Sequence, residues 1–155
     1  MRYYTSKLLI GLLTLSFLVF SSVSISLAED EVLIGGALSL TGVQAPLDEP
    51  GLKGAQVAVK YLNDHGGILG KQVKFVNIDG KSDPVTVGNA AVELIDQGAK
   101  LIVAPCDFDF GGPASREAQK AGIVGISTCA SDPLYSSWSL GDKQFTCWYS
   151  KSCLS

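Results

Sequence analysis

Apolar runs without polar alternation are interleaved along this chain with segments whose apolar residues recur every three or four positions, which predicts strand followed by helix several times over. Val32 to Leu40 is a run of Val, Leu, Ile, Ala and Gly with no polar residue before Ser39, the pattern of a strand covered on both faces. Thr41-Gly42 ends it, and a loop carrying Pro46, Asp48, Glu49 and Pro50 leads to a helix predicted over 51–64, with Leu52, Ala55, Val59 and Leu62 on one side. Asn63-Asp64-His65-Gly66-Gly67 stops that helix, because glycine accepts the left-handed backbone of a C-terminal cap. A second strand is predicted over 71–79. Asp83-Pro84 then reads as an N-cap with proline at the first helical position, and Val87, Ala90, Ala91, Leu94 and Ile95 stripe the helix that follows. A third strand is predicted over 100–105, a third helix opening at Gly111-Gly112-Pro113, and a short fourth strand over 123–127.

Strands and helices joined by short connections imply an α/β fold: a parallel sheet with right-handed crossovers and helices on both faces, in three layers. Ligands of such sheets bind beyond the carboxyl ends of the strands, near the point where strand order reverses. Four loops are therefore candidates: Thr41 to Pro50, Asp79 to Asp83, Cys106 to Gly112, and Thr128 to Pro133.

The first 28 residues have a different character. Arg2 and Lys7 precede the apolar run Leu8 to Phe20, and Ser26-Leu27-Ala28 sets small residues where a signal peptidase cuts. Cleavage after Ala28 is expected, giving an exported, soluble periplasmic protein. The competing reading is a membrane anchor reaching through Ser21 to Ala28, roughly 20 residues in all, which four serines dilute. Removing the leader takes two basic and no acidic residues, so the formal charge moves from −3 to about −5 over roughly 127 residues. An acidic chain without a Lys/Arg cluster is not expected to bind nucleic acid or an anionic membrane. The remaining 29–146 is of a size for one small domain, and 147–155 forms a tail of unrelated character.

No catalytic apparatus is legible in the loops. Gly35-Gly36 lacks the spacing of a dinucleotide fingerprint, there is no phosphate-binding G-K-[ST], and Gly125 to Cys129 lacks the last glycine of a nucleophile elbow. His65, the one histidine, sits in a helix-ending turn where a solvated role is expected. Asp107-Phe108-Asp109-Phe110 is the distinctive segment: its carboxylates and rings could hold a cationic or aromatic solute, or could cap the next helix and pack beneath the loop. Cys106 and Cys129 follow strands expected to be neighbours, so they form either a bridge worth roughly 3 kcal/mol or a pair of buried thiols. Cys147 and Cys153 lie in the tail. No C-x-x-C pair with a partnering histidine supports zinc. No metal, cofactor or catalytic residue is expected.

Three ordered stretches, Ile34 to Gly42, Gly54 to Asn63 and Gly66 to Val73, resemble the amino-terminal lobe of extracytoplasmic solute-binding proteins of ABC importers, of the branched-chain amino-acid (Leu/Ile/Val-binding) type. Asp83-Pro84, Pro113-Ala114-Ser115 and Ile126 to Pro133 continue the resemblance in order, through about Phe145. It implies a type I periplasmic-binding-protein fold, in which two lobes close around one small solute and dock on a membrane permease. It also implies a monomer without enzymatic activity. Transferred residue by residue, Asp107 or Phe108 stands where the family offers a hydroxyl to a carboxylate. Leu47 stands where those binders can present a tyrosine, and Cys129, Ala130 and Ser131 stand where backbone groups and a hydroxyl meet the ligand. Asp107 would repel a carboxylate, so an amide, urea-like, amine or aromatic solute fits better than an amino acid.

Family members run to more than twice this length, so the second lobe is expected to be missing and the chain to be a truncated form that binds weakly alone. The alternative is a small exported flavodoxin-like enzyme or thiol protein complete at Ser155.

Overall fold

The structure is a computed structural model that describes residues 31–130, 132, 134–135 and 137–146. The leader at 1–28, the tail at 147–155 and Ser131 lie outside the described residues. In chain order the elements are β1 (Glu31–Gly36), α1 (Ala45–Asp64), β2 (Gln72–Asn77), α2 (Pro84–Asp96), β3 (Leu101–Ala104), α3 (Phe108–Lys120), β4 (Val124–Ser127), α4 (Ser137–Leu140) and β5 (Gln144–Thr146).

The strands form one parallel sheet in the order β2-β1-β3-β4-β5. β1 is interior, as its unbroken apolar run requires. The chain steps from β1 outward to β2, then back past β1 to β3, so strand order reverses between β1 and β3. Alternate residues of the strands point to opposite faces. Gly35, Ile102 and Ala104 face α2 and α3, whose Val87, Ala90, Leu94, Ala114 and Ala118 supply much of the main core. Small residues let those two helices pack closely on the sheet. A Cβ at Gly35 would lie 2.9 Å from the Leu94 Cβ and 3.0 Å from Ile102 Cδ1, so only glycine lets α2 approach this near. Ile34, Phe75, Leu101, Val103 and Ile126 face the other way, toward Ala55, Val59 and Leu62 of α1.

Helix ends largely follow the local signals. Asp83 caps α2 by accepting from the Thr86 amide (2.7 Å) with Pro84 behind it, and His65 caps α1 on the exposed surface, its ring against Tyr61. Asn63 docks that end onto β2 through both the N–H and the C=O of Val73 (2.7 and 2.9 Å). Two helix starts depart from the sequence pattern. α1 begins at Ala45, six residues before the predicted start, because Pro46 falls in the first turn, where no N–H is needed. α3 begins at Phe108 rather than at Gly111, because Asp107 takes the N-cap and accepts from the Asp109 amide (3.3 Å). α4 and β5 had no counterpart in the pattern.

The loop after β2 braces the loop after β1. Asp79 accepts from the amides of Leu40 and Lys81 (2.8 and 2.9 Å) and from the Thr41 hydroxyl (2.9 Å), while Ser82 Oγ donates to Thr41 O (2.7 Å). Partial burial works against the Asp79 charge, but these three donors outweigh it and hold the carboxyl below the usual carboxylate range. A depressed folded pKa stabilises fully above the unfolded value and is lost as pH falls through the folded one. Asp79→Ala should therefore destabilise by about 2 kcal/mol at neutral pH. Asp79→Asn should flatten the loss of stability that the wild type shows on acidification below the unfolded carboxylate pKa, measured by urea unfolding across pH.

Candidate functional site at the carboxyl edge of the sheet

Three loops meet where strand order reverses. The start of α1 supplies Leu47, the β3–α3 turn supplies Cys106, Asp107 and Phe108, and the segment after β4 supplies Cys129, Ala130 and Asp132; together they line a cavity of about 370 Å³. Five residues expected at the site, Leu47, Asp107, Phe108, Cys129 and Ala130, are thus brought together. Ser131 lies outside the described residues. Of the four candidate loops, Asp79 to Asp83 does not line this cavity, because β2 sits on the far side of β1 and its loop packs against the loop after β1. Asp109 and Phe110 are not among the lining residues either.

The β3 and β4 loops are tied together at several points. Cys106 and Cys129 form a disulfide with their Cα atoms 4.9 Å apart. Ser127 Oγ donates to Pro105 O (3.1 Å) and accepts from the Ala130 amide (3.2 Å). The Tyr135 hydroxyl donates to Pro105 O (2.8 Å), and its ring, only 3% exposed, meets Phe108 edge-on with centroids 5.4 Å apart. Burial pushes the Tyr135 phenol well above its usual range, so it stays a neutral donor. On the outer side of Phe108 the Arg116 guanidinium stands 5.6 Å from the ring centroid. Phe108 is therefore held by its neighbours and still forms part of the cavity wall.

A further tie joins α1 to both strand ends. Asp48, fully buried, accepts from the Ser39 amide at Oδ2 (2.9 Å) and from the Cys106 amide at Oδ1 (2.9 Å). Burial raises its carboxyl above the usual range, opposed by the amides of Cys106 and Ser39 and by the Gln44 side chain, with Asp107 adding repulsion.

Sequence reasoning missed Asp48, Asp132 and Tyr135. Asp132 could have been suspected from Asp-Pro in the last candidate loop; it accepts from the Leu134 amide (2.8 Å) while lining the cavity. The charged groups lining the cavity are Asp107 and Asp132, and no Lys or Arg accompanies them among its lining residues. No group of three metal-ligating side chains occurs among the described residues.

Close packing makes Gly111 critical to this corner. A Cβ there would overlap the Tyr135 hydroxyl and come within 2.5 Å of Pro105 O. Gly111→Ala gains at most about 1 kcal/mol of helix propensity but overpacks by about 1–3 kcal/mol and displaces the Tyr135 bond. The expected result is a lower melting temperature together with altered near-ultraviolet circular dichroism from Tyr135 and Phe108.

The periplasmic binding protein family profile matches residues 31–152. The chain belongs to that family. A Leu/Ile/Val-binding protein homolog of Brucella abortus is 32% identical over 117 residues, which cover 76% of this chain and 32% of that protein. The branched-chain amino acid transporter substrate-binding protein of Streptococcus pneumoniae, solved with isoleucine, is 32% identical, with a TM-score of 0.63 over 66% of this chain and 30% of that one. A putative branched-chain amino acid ABC transporter protein of Rhodospirillum rubrum, 22% identical, shares the fold with a TM-score of 0.68 over 75% of this chain and 33% of that one. The chain spans about a third of the length of the relatives it matches. Its parallel five-stranded sheet with flanking helices is that of the type I periplasmic-binding-protein fold.

Proposed function

We propose that residues 29–146 are the amino-terminal lobe of an exported solute-binding component of an ABC importer, one that captures a small polar solute and delivers it to a membrane permease. In this reading 1–28 is a leader removed on export, and the mature protein is a non-enzymatic, periplasmic monomer. No described helix is long and apolar enough to cross a membrane. The observation that carries the reading is the cavity at the reversal of strand order, lined by Leu47, Asp107, Phe108, Cys129 and Ala130 on this family's fold.

The solute is an amide, amine or aromatic compound in preference to a free amino acid whose carboxylate faces this lobe. Two carboxylates line the cavity, a third lies buried behind it, and the Phe108 ring offers an apolar wall. Leucine and leucinamide distinguish the cases, since they differ only in the carboxylate. Titrated by NMR into the purified mature chain, leucinamide should bind at least about tenfold more tightly, and Asp107→Asn should weaken it by roughly 10–100-fold, the worth of one charge-assisted hydrogen bond. Leucine binding the more tightly would contradict the specificity. Because closure by a second lobe supplies further contacts and excludes water, this chain alone should bind in the millimolar range. Micromolar affinity would contradict the lobe reading, and turnover abolished by Asp107→Asn would favour an enzyme.

A further inference from the structure

Asp48 lies in the first turn of α1 with 0% of its surface exposed. Nothing in Pro46-Leu47-Asp48-Glu49-Pro50 marks it apart from an ordinary helix opening, yet burying a carboxylate is costly without compensation. Among the described residues no cation acts on it. The titratable groups facing it are Asp107 from the β3–α3 turn and Tyr135 from the segment before α4, both acids. The compensation is two backbone amides, Ser39 beyond the end of β1 and Cys106 beyond the end of β3, one on each carboxylate oxygen, with Gln44 Nε2 a weaker third donor at 3.4 Å.

These amides stand where neighbouring strands part, so the sheet ladder no longer supplies them with carbonyl partners, and a buried N–H left unpaired is strongly disfavoured. Only a carboxylate offers two acceptor oxygens on one short, rigid side chain. Asparagine offers one oxygen, and its NH₂ would face the second N–H. Leu47 adjoins Asp48 in sequence, and Asp107 adjoins Cys106. The bond from Asp48 to the Cys106 amide thus joins two walls of the cavity, at a lining residue of one wall and one residue from Leu47 on the other.

We propose that Asp48 is a positioning residue of the solute site, locking the start of α1 to the β3–α3 turn so that Leu47, Asp107 and Phe108 are presented as one preformed surface. That the surface receives a solute rests on the function proposed above; that Asp48 fixes it does not.

The test is a pH titration of the ¹⁵N-labelled mature chain, comparing wild type with Asp48→Asn. In the wild type the Ser39 and Cys106 amide protons should follow one common midpoint above the ordinary carboxylate range. In Asp48→Asn that shared titration should vanish, the amides of Leu47, Asp107 and Phe108 should shift or broaden while those of α2 stay in place, and leucinamide affinity should fall about tenfold or more. Asp107→Asn serves as the control, since it should retain the shared titration. Independent midpoints for Ser39 and Cys106 in the wild type would overturn the inference. So would an Asp48→Asn protein with unchanged Leu47, Asp107 and Phe108 resonances, or one with unchanged leucinamide affinity. If neither leucine nor leucinamide perturbs the wild type, the solute reading fails, while the resonances of the two cavity walls still decide what Asp48 does. Should Asp48→Asn not fold, the wild-type titration alone still decides whether both amides report one carboxylate.

Discussion

Replacing Cys106 and Cys129 together by serine should destabilise the protein by roughly 3 kcal/mol and lower its melting temperature by on the order of 10 °C. The sulfurs close a segment with a sequence separation of 23, which removes conformational freedom from the unfolded chain. The loss should not dissolve the site, because Ser127 and Tyr135 still bond Pro105 and keep the β4 segment against the β3 turn. The serine protein is therefore expected to fold cooperatively at a lower temperature, with Phe108 still ordered. Thermal unfolding of the wild type with and without reductant should reproduce the difference. Non-reducing peptide mapping that finds two alkylatable thiols at these positions would contradict it.

Leu94→Ala should cost still more, about 3–5 kcal/mol. Leu94 is fully buried, and its partner across the α2–sheet contact is Gly35, which has no side chain to move into the space vacated. A site that cannot collapse keeps its cavity, so the loss should lie in the upper part of the range for such truncations. Urea unfolding should show the midpoint falling without a change in slope. Because α2 packs on the sheet away from the carboxyl-edge cavity, the resonances of Leu47, Asp107 and Ala130 should keep their wild-type positions in the folded variant. Together the two variants separate what holds the lobe together from what shapes its site.

How much of this was legible in the sequence follows from where each signal resides. The sheet and its helices could be read because Val32 to Leu40 and Leu101 to Ala104 have no polar alternation, and because Val87, Ala90, Ala91 and Leu94 recur at helical spacing. Helix starts were harder. Pro46 and Pro50 together resemble a loop although the first proline suits an opening turn, and Gly111-Gly112-Pro113 resembles a break although Gly111 is small because Tyr135 occupies the space beside it. β5 has three residues and is defined by its pairing with β4, so no periodicity announces it.

The site divides in the same way. Residues that line the cavity fall in loops after strands and could be placed by topology alone. Asp48 and Tyr135 act through partners 58 and 30 residues away, and no local pattern distinguishes them from a helix-opening acid and a loop tyrosine. Asp107 shows both of its readings at once, capping α3 while lining the cavity.

A residue-resolved map of solute contact tests the proposed site directly. A ¹⁵N-labelled mature chain would be titrated with leucinamide, and the amide shifts would be followed to saturation. A single set of perturbed resonances is expected at Leu47, Asp107, Phe108, Cys129 and Ala130, with β2 and the exposed face of α1 unchanged. Saturable shifts centred elsewhere, with those five residues unmoved, would contradict it.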